Sequence, residues 1–202
     1  GDTSWYQEEG TSFRVEDEAD LVGLAELVKQ GQTFAGKVIA LSADIALTST
    51  DWSAVGTEEY PFSGSFIAAE NDTGGYYSVT GVNIQSDRAN QGFFGYLKNA
   101  KIENLSVGGK ISGGTNIGAI AGAADNSTLI NCVNIGEVSG QANGGGVLGR
   151  AGEGTVLESC GNEGTVTGAD QTGGVAGTFA KTAKMTGCYN GKNGTVEGQG
   201  TA

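Results

Sequence analysis

Short apolar segments alternate with polar, glycine-rich turns along residues 91–202. Each segment spans a few residues and is bounded by Gly, Asn, Ser or Thr, which is typical of short strands joined by tight turns. Three such segments recur in every unit of 27 to 30 residues. The pattern predicts an all-β protein, a parallel β-helix with three strands per coil. Leucine-rich and helical repeats fit poorly, because the units lack long helical stripes and are too rich in glycine for helix interiors.

The cysteines give the clearest measure of the repeat. Cys132, Cys160 and Cys188 lie 28 residues apart, twice over, and an asparagine follows each of them two residues later. Aligning the units on this spacing predicts four columns of inward-facing side chains. The columns are Phe93, Ile120, Val147 and Val175; Ile102, Leu129, Leu157 and Met185; Leu105, Cys132, Cys160 and Cys188; and Ile111, Val138, Val166 and Val196. Because stacked coils place equivalent positions over one another, each column predicts a continuous line of buried side chains.

The cysteine column predicts buried free thiols. The equivalent position one unit earlier is Leu105, so the column is apolar in character. Neighbouring coils would bring the Cα atoms to about 4.8 Å, within reach of a disulfide, but with parallel Cβ directions that suit its torsion badly. Three cysteines without a CxxC pair or any histidine also make zinc a poor alternative. We therefore predict no metal and no cofactor in this chain.

Asn134, Asn162 and Asn190 form a further predicted column, which ends at Val107. Stacked amide side chains can hydrogen-bond to one another along the axis of a β-helix and to the backbone of the adjoining turn. We interpret this column as an asparagine ladder with a structural role. A ligand-binding role for the amides is the alternative.

One helix is predicted near the N-terminus, from Glu18 to Gln30. Asp17 can cap it, acidic residues occupy its first turn, and Gly31 follows its end. The same acids could be read as a calcium loop. They lack the alternating ligand spacing and central glycine of such a loop, so the helix start is the better interpretation.

The chain divides into two parts. Residues 1–90 do not follow the repeat and are predicted to form an N-terminal cap, with the helix and with strands at residues 37–41 and 45–47. Such a cap would cover the exposed end of the first regular coil. Residues 91–202 are interpreted as regular coils of one continuous domain, truncated at its C-terminal end.

Composition and charge narrow the function. The chain has 37 glycines and one proline among 202 residues, which favours neither a proline-rich linker nor collagen. Its formal net charge is −12, and residues 1–70 alone hold 13 acids and 3 bases. A chain with a pI near 4.3 and no basic stripe is a poor candidate for binding nucleic acid or inserting into a membrane.

The chain contains no histidine, which excludes an HExxH zinc site and Ser-His-Asp or Cys-His pairs within it. The enzymatic alternative is a polysaccharide lyase or hydrolase, because such enzymes can work with Asp, Glu, Lys or Arg alone. They need two or three of these residues on one outward column in adjacent coils. The outward column through Lys110 and Glu137 holds only scattered charges. Glu103 and Glu158 share another column but are separated by Ile130. We predict no catalytic residues.

Most aromatic residues of the N-terminal part are predicted to pack within the cap. Tyr76 and Tyr77, beside Gly74 and Gly75, are the predicted exception. They are the candidate platform for a carbohydrate or protein ligand.

Several motifs, taken in order, resemble those of bacterial cell-surface proteins with GLUG-type repeats. The motifs are Trp5-Tyr6, the predicted helix, segments 34–41 and 44–47, Trp52, segment 62–66, Gly92-Phe93-Phe94-Gly95-Tyr96-Leu97, and the repeats that contain Asn131-Cys132 and Gly-Gly-Val. The resemblance implies a right-handed β-helix on a secreted or wall-attached bacterial protein; similar repeats also occur beside the catalytic region of immunoglobulin A peptidases. We expect a noncatalytic extracellular scaffold or adhesin module, with a host glycan or surface protein as partner. A carbohydrate-active enzyme domain and a spacer without ligand are the alternatives.

Overall fold

The computed structural model describes residues 1–198, which contain twenty β-strands and one α-helix. Residues 199–202 of the predicted repeat region lie outside the described residues. In chain order the elements are β1 (Ser12–Val15), α1 (Glu18–Lys29), β2 (Val38–Leu41), β3 (Ile45–Ala46), β4 (Ser65–Ala68), β5 (Ser78–Gln85), β6 (Phe94–Lys98), β7 (Lys101–Glu103), β8 (Ser106–Ile117), β9 (Ala121–Asp125), β10 (Thr128–Ile130), β11 (Val133–Asn134), β12 (Glu137–Gly145), β13 (Leu148–Ala151), β14 (Val156–Glu158), β15 (Gly161–Asn162), β16 (Thr165–Gly173), β17 (Ala176–Phe179), β18 (Lys184–Thr186), β19 (Tyr189–Asn190) and β20 (Thr195–Gly198).

The strands form three parallel sheets, and successive coils contribute neighbouring strands to each sheet. The first sheet has the order β1-β2-β4-β7-β10-β14-β18. The second has the order β19-β15-β11-β8-β12-β16-β20, with β3 joined to β5 and β5 to β8, and the third has the order β17-β13-β9-β6. The predicted parallel β-helix with three strands per coil is confirmed. Its right-handed winding stays a prediction, in line with the general handedness of crossover connections.

The predicted apolar columns lie in register. Leu129 pairs with Ile102 on one side and with Leu157 on the other, and all three side chains are fully buried. The column through Val138 is paired in the same way. In the last described coil, Met185 is 42% exposed, since no further coil covers it within residues 1–198. Burial therefore depends on having a neighbouring coil on each side.

The helix α1 ends one residue before its predicted end. The Asp17 carboxylate accepts a hydrogen bond of 2.9 Å from the backbone N–H of Asp20, which satisfies a free donor of the first turn. At the other end, Gly31 has a φ of 100°, a left-handed conformation that favours glycine. The buried face consists of Leu21, Gly23, Leu24, Leu27 and Val28. Ala25, beside that face, is only partly buried.

The N-terminal strands already belong to the sheets of the β-helix. Strand β1 pairs with β2, β2 with β4, and β4 with β7, a strand of the regular coils. The prediction of strands near residues 37–41 and 45–47 is confirmed by β2 and β3. The division at residue 90 thus separates irregular coils from regular ones within continuous sheets. That residues 1–90 form a cap on the repeats stays an interpretation.

Aromatic rings fill the core of the first coils. Ring centroids lie 5.9 Å apart for Phe34 and Phe62, 4.9 Å for Phe62 and Phe94, and 4.9 Å for Phe94 and Phe93. Trp52 stacks on Phe93 at 5.3 Å and donates its indole N–H to the Phe93 carbonyl oxygen. These contacts bury the large rings where the coils are least regular.

Asparagine occupies several corners of the coil in the left-handed region. Asn90, Asn116 and Asn143 have φ values of 58°, 65° and 55°, and asparagine tolerates this region better than most residues. The Asn116 amide donates to Asn90 Oδ1 at 3.0 Å, and the Asn143 amide donates to Asn116 Oδ1 at 2.8 Å. Shorter ladders of the same kind join Asn99 with Asn126 and Asn104 with Asn131. These corner ladders add hydrogen bonds that hold successive coils together.

Candidate functional site

The cysteine column is part of the core of the β-helix. Cys132 and Cys160 are free thiols with fully buried side chains, and Cys188 is partly buried. The sulfurs of Cys132 and Cys160 lie 3.5 and 3.3 Å from the carbonyl oxygens of Ile102 and Leu129. Burial raises the pKa of the Cys132 thiol well above its ordinary value, which disfavours the reactive thiolate. The prediction of buried free thiols is confirmed for Cys132 and Cys160.

The predicted asparagine ladder is confirmed as well. The Asn134 amide donates to Asn162 Oδ1 at 2.9 Å, and the Asn162 amide donates to Asn190 Oδ1 at 2.7 Å. The backbone N–H of Gly136 donates to Asn134 Oδ1 at 3.0 Å, so the ladder also satisfies the adjoining turn. Val107 pairs with Asn134 at the end of the ladder. Because Asn134 and Asn162 are fully buried, their amides cannot contact a ligand.

A cluster of Tyr96, Asp125 and Arg150 lies on the outer side of the third sheet. The Tyr96 hydroxyl donates to Asp125, and Arg150 donates to Asp125 Oδ1 at 3.1 Å and to the Tyr96 oxygen at 2.9 Å. Ala123 pairs between Tyr96 and Arg150, so its small side chain leaves room for this contact across three coils.

The protonation states of this cluster fit a structural role, in which it links neighbouring coils. Burial, together with the adjoining Asp125, raises the pKa of Tyr96 to about 12, so the phenol stays protonated and is a poor base. Against the effect of burial, hydrogen bonds from Arg150 and Tyr96 lower the pKa of Asp125, which stays ionised. Tyr96 and Asp125 are hydrogen-bonded to each other and to Arg150, so the cluster links neighbouring coils. Within residues 1–198, no group of three or more His, Cys, Asp and Glu side chains is placed to hold a metal ion.

A shallow groove runs along the outer face of the second sheet. Two adjoining cavities of about 470 and 720 Å³ share Gln85, Ser112, Ser139 and Thr167 in their lining. These four residues come from consecutive coils and pair in register on β5, β8, β12 and β16. At about 4.8 Å between neighbouring strands, the four side chains span roughly 14 Å. We call these cavities the axial groove.

Glycine forms part of the groove's floor and lets its strands bend. A Cβ atom on Gly113 would lie 2.4 Å from Ile117 Cδ1. In a straight strand, residues four apart are about 13 Å from each other, so β8 must bend sharply between these two positions. Gly140 and Gly168 repeat the arrangement in β12 and β16. These three glycines are buried beside a row of small polar side chains.

The chemistry of the axial groove is mainly that of hydroxyl and amide groups. The Ser112 hydroxyl donates to the Ile84 carbonyl oxygen at 3.3 Å. The hydroxyls of Ser139 and Thr167 have no hydrogen-bond partner within residues 1–198. In the next column, Lys110 and Glu137 form an exposed ion pair of 3.7 Å. The groove therefore offers free donors and acceptors along the axis of the β-helix.

Tyr76 and Tyr77, the predicted binding residues, occupy different environments. Tyr76 is 39% exposed and lies at the base of the 70–76 loop, where it pairs with Glu70. Tyr77 is partly buried and packs against the hydrophobic core. The structure thus brings only Tyr76 to an open surface, and neither residue lines the axial groove.

A second concave site lies beside the helix and was not predicted. Its volume is about 560 Å³, and we call it the helix pocket. Its walls come from α1, from the loop at residues 52–60 and from the connection at residues 88–91. Tyr60, which lines it, is 42% exposed and is more exposed than Tyr76. Trp52 also lines the pocket but is buried. Because aromatic residues of this part were expected to pack inside the cap, only the fold could reveal that Tyr60 is exposed at a pocket.

No protein-family model and no curated protein matches this chain. A solved structure does match: a protein from Bacteroides ovatus described as a "putative immunoglobulin A1 protease". The likeness covers 97% of this chain and 85% of that one, with a TM-score of 0.63 and 17% sequence identity. At this identity the likeness shows the fold alone. This chain is therefore a parallel β-solenoid whose fold resembles that of the Bacteroides ovatus protein.

Proposed function

We propose that this chain is a noncatalytic module of a bacterial cell-surface or secreted protein with GLUG-type repeats, and that its axial groove contacts an extended ligand. The observation that carries the proposal is the row of Gln85, Ser112, Ser139 and Thr167 across four coils. An extended ligand along the axis would meet one of these side chains in every coil. The secreted setting is supported by the motif order, and the fold likeness to a Bacteroides ovatus protein agrees with a bacterial source.

A host glycan chain is the partner that the groove chemistry favours. Sugar hydroxyl groups donate and accept hydrogen bonds, as do the Ser, Thr and Gln side chains of the groove. Ser139 and Thr167 retain this capacity because their hydroxyls have no partner within residues 1–198. An extended segment of a host surface protein is the other partner that the test should include.

The enzymatic alternative places catalysis on Lys110 and Glu137, the acid and base that adjoin in the groove. Both side chains are largely exposed, at 80% and 60%, and pair with each other. A general acid or base with a pKa near neutral usually requires burial or a like-charged neighbour. We therefore assign this pair to the groove surface.

The test combines binding with turnover. The purified chain is applied to an array of neutral and acidic glycans, and the bound glycans are then incubated with it while new chain ends are measured. We expect binding without cleavage. Ser139→Arg places a long side chain across the groove and should abolish binding of the neutral glycans. Thr128→Arg, the same kind of change on the outer side of the first sheet, should leave binding intact.

Cleavage by the wild type that is lost in Glu137→Gln would overturn the noncatalytic assignment. Binding of neutral glycans that survives Ser139→Arg would exclude the axial groove as the contact surface. No binding to any glycan, together with no capture of host surface proteins, would favour a spacer without ligand.

A further inference from the structure

The helix pocket is preformed by backbone hydrogen bonds. In its loop wall, the Val55 N–H donates to the Phe93 carbonyl oxygen at 2.9 Å, and the Gly95 N–H donates to the Val55 carbonyl oxygen at 2.8 Å. The Thr57 N–H donates to the Tyr60 carbonyl oxygen at 2.9 Å and closes the turn that carries Tyr60. A pocket with fixed walls loses little conformational entropy when a ligand binds.

The connection at residues 88–91 is equally well held. The Gly114 N–H donates to the Arg88 carbonyl oxygen at 2.9 Å, and the Arg88 N–H donates to Ser86 Oγ at 2.9 Å. Asn90 begins the corner ladder that continues to Asn116 and Asn143. The side chain of Arg88 therefore extends from a rigid backbone.

The pocket combines an apolar wall with charged groups. Val22 and Ala25 of α1 and Ala54 of the loop supply apolar surface, and Tyr60 adds an exposed ring. At about 560 Å³ the pocket falls within the range of roughly 300–1,000 Å³ that is usual for small-molecule sites. It is large enough for a single sugar residue and shares no lining residue with the axial groove.

Two cations of the pocket lack partners. Within residues 1–198, neither the Arg88 guanidinium nor the Lys29 ammonium takes part in an ion pair or a side-chain hydrogen bond. The other two bases of residues 1–70 are engaged: Arg14 pairs with Glu16 at 3.2 Å, and Lys37 donates to backbone carbonyl oxygens. In a chain with a net charge of −12, two free cations in one pocket indicate a site for an anionic group.

The acids of the pocket have different roles. Glu26 accepts a hydrogen bond of 3.0 Å from the N-terminal amine of Gly1. Glu58 has no partner within residues 1–198 and can accept hydrogen bonds from ligand hydroxyl groups, since a carboxylate is an acceptor only. The pocket thus offers donors for a carboxylate, an acceptor for hydroxyls, and a ring for an apolar face.

We infer that the helix pocket binds one carboxylated sugar residue, of the uronic acid type. Arg88 and Lys29 hold the sugar carboxylate, Glu58 accepts from the ring hydroxyls, and Tyr60 packs against the ring's C–H face. This site goes beyond the proposed function and does not depend on the axial groove. It would let the module recognise a single acidic sugar separately from an extended chain.

The inference is tested by titrating the full chain with sodium glucuronate and following backbone amide signals by NMR. We expect saturable shifts at residues 53–58 and 88–91, with a Kd of about 1 mM. Arg88→Gln should weaken binding about tenfold, because it removes charge-assisted hydrogen bonds. Tyr60→Ala should weaken it about threefold to tenfold. Raising the salt concentration should also weaken binding.

Matched variants separate local from general effects. Arg14→Gln removes an exposed arginine from β1, and Tyr189→Ala removes a tyrosine that is 41% exposed in the last described coil. Both should bind glucuronate like the wild type. Ser139→Arg should also leave glucuronate binding unchanged, so failure of the groove proposal and failure of this inference are distinguishable.

Two further ligands define the chemical class. Glucose, which lacks the carboxylate, and phenylacetate, which lacks the hydroxyls, should each bind at least about tenfold more weakly than glucuronate. Equal binding of glucose would overturn the assignment of Arg88 and Lys29. Equal binding of phenylacetate would overturn the assignment of a sugar as the ligand. No shifts with glucuronate at concentrations well above 10 times the expected Kd would overturn the whole inference.

Discussion

The first coils and the regular coils share the same three sheets but are filled differently. Six of the seven phenylalanines lie in residues 1–94, and their rings form one connected cluster with Trp52. The regular coils instead stack Val, Leu, Ile, Ala and Cys in columns and close their turns with asparagine ladders. The interior of the first coils varies in cross-section, so it is filled by large rings that each pack in a different way. The interior of the regular coils has a constant cross-section, so it is filled by similar small side chains repeated from coil to coil.

The two regions also differ in how their hydrogen bonds are made. In the regular coils, ladder bonds recur: the bond between Asn134 and Asn162 has a counterpart 28 residues later between Asn162 and Asn190. In the first coils, contacts such as that between Glu18 and Thr48 occur once. A substitution in the first coils should therefore destabilise the protein strongly. In the regular coils, the loss of stability should depend on how many neighbouring coils contact the changed residue.

The largest effect is expected from Phe94→Ala in the ring cluster. Phe94 is fully buried and lies 4.9 Å from Phe62 and 5.6 Å from Phe66 between ring centroids. Removal of the ring should lower the free energy of unfolding by about 3–5 kcal/mol, because it leaves a cavity among large, rigid neighbours. Thermal unfolding followed by circular dichroism should show a Tm lower by roughly 6–20 °C.

The matched control for Phe94→Ala is Phe179→Ala, since Phe179 is 41% exposed in the regular part of the chain. The control should cost less than about 1 kcal/mol. Equal losses in the two variants would mean that the ring cluster does not dominate the stability of the first coils.

A smaller loss is expected from Asn162→Ala in the buried ladder. The change removes bonds of 2.9 and 2.7 Å to the asparagines on either side and leaves the buried Asn134 amide with only the Gly136 carbonyl oxygen at 3.4 Å as an acceptor. We expect a loss of about 2–3 kcal/mol in urea unfolding. Asn190→Ala, at the exposed end of the ladder, should cost clearly less. If Asn190→Ala were as destabilising as Asn162→Ala, burial of the ladder would not matter.

The smallest effect is expected at Glu18, which ties α1 to the turn after β3. Its carboxylate accepts hydrogen bonds from the Thr48 hydroxyl at 2.8 Å and from the Ser49 N–H at 3.0 Å. The Thr48 bond above all, with the Ser49 backbone bond next, lowers the pKa of Glu18 to about 2. Because this pKa is lower in the folded state, the carboxylate stabilises the fold above its unfolded pKa of about 4.3, and this contribution is lost as the pH falls to about 2.

The variant Glu18→Gln should accordingly have a slightly lower Tm than the wild type at pH 7, and the difference should disappear towards pH 2. Glu9→Gln, which changes an exposed acid without such hydrogen bonds within residues 1–198, is the control and should have the Tm of the wild type at pH 7. A Glu18 titration by NMR with a midpoint near 4.3 would contradict the proposed contacts.

The regular coils were predictable because equivalent positions in successive coils have the same environment and therefore carry similar residues. A column that holds Leu105 and then three cysteines indicates an inward apolar position, and the structure confirms it for Cys132 and Cys160. The corner ladders could have been found from the same signal, since Asn116 and Asn143 are 27 residues apart. They were missed because asparagines in turns have a sufficient local explanation.

The binding surfaces were less predictable, because they depend on residues distant in the chain. Tyr76 and Tyr77 were selected from their glycine-rich neighbourhood, yet Tyr77 packs on the core. Tyr60 faces the helix pocket only because α1 and residues 88–91 lie beside its loop. Nothing local in the sequence distinguishes Tyr60 from the aromatic residues that are buried.

The sequence by itself determined the period, the stacking of the columns, the helix with its Asp17 cap, and the ladder through Asn162. These features rest on local propensity and on repetition, and both can be read along one chain. Only the tertiary structure decided that the irregular strands continue the same sheets, that Tyr96, Asp125 and Arg150 meet across three coils, and where the concave surfaces lie. The physical reason is that a groove or pocket is a property of the gaps between packed elements, and those gaps depend on contacts between residues far apart in sequence.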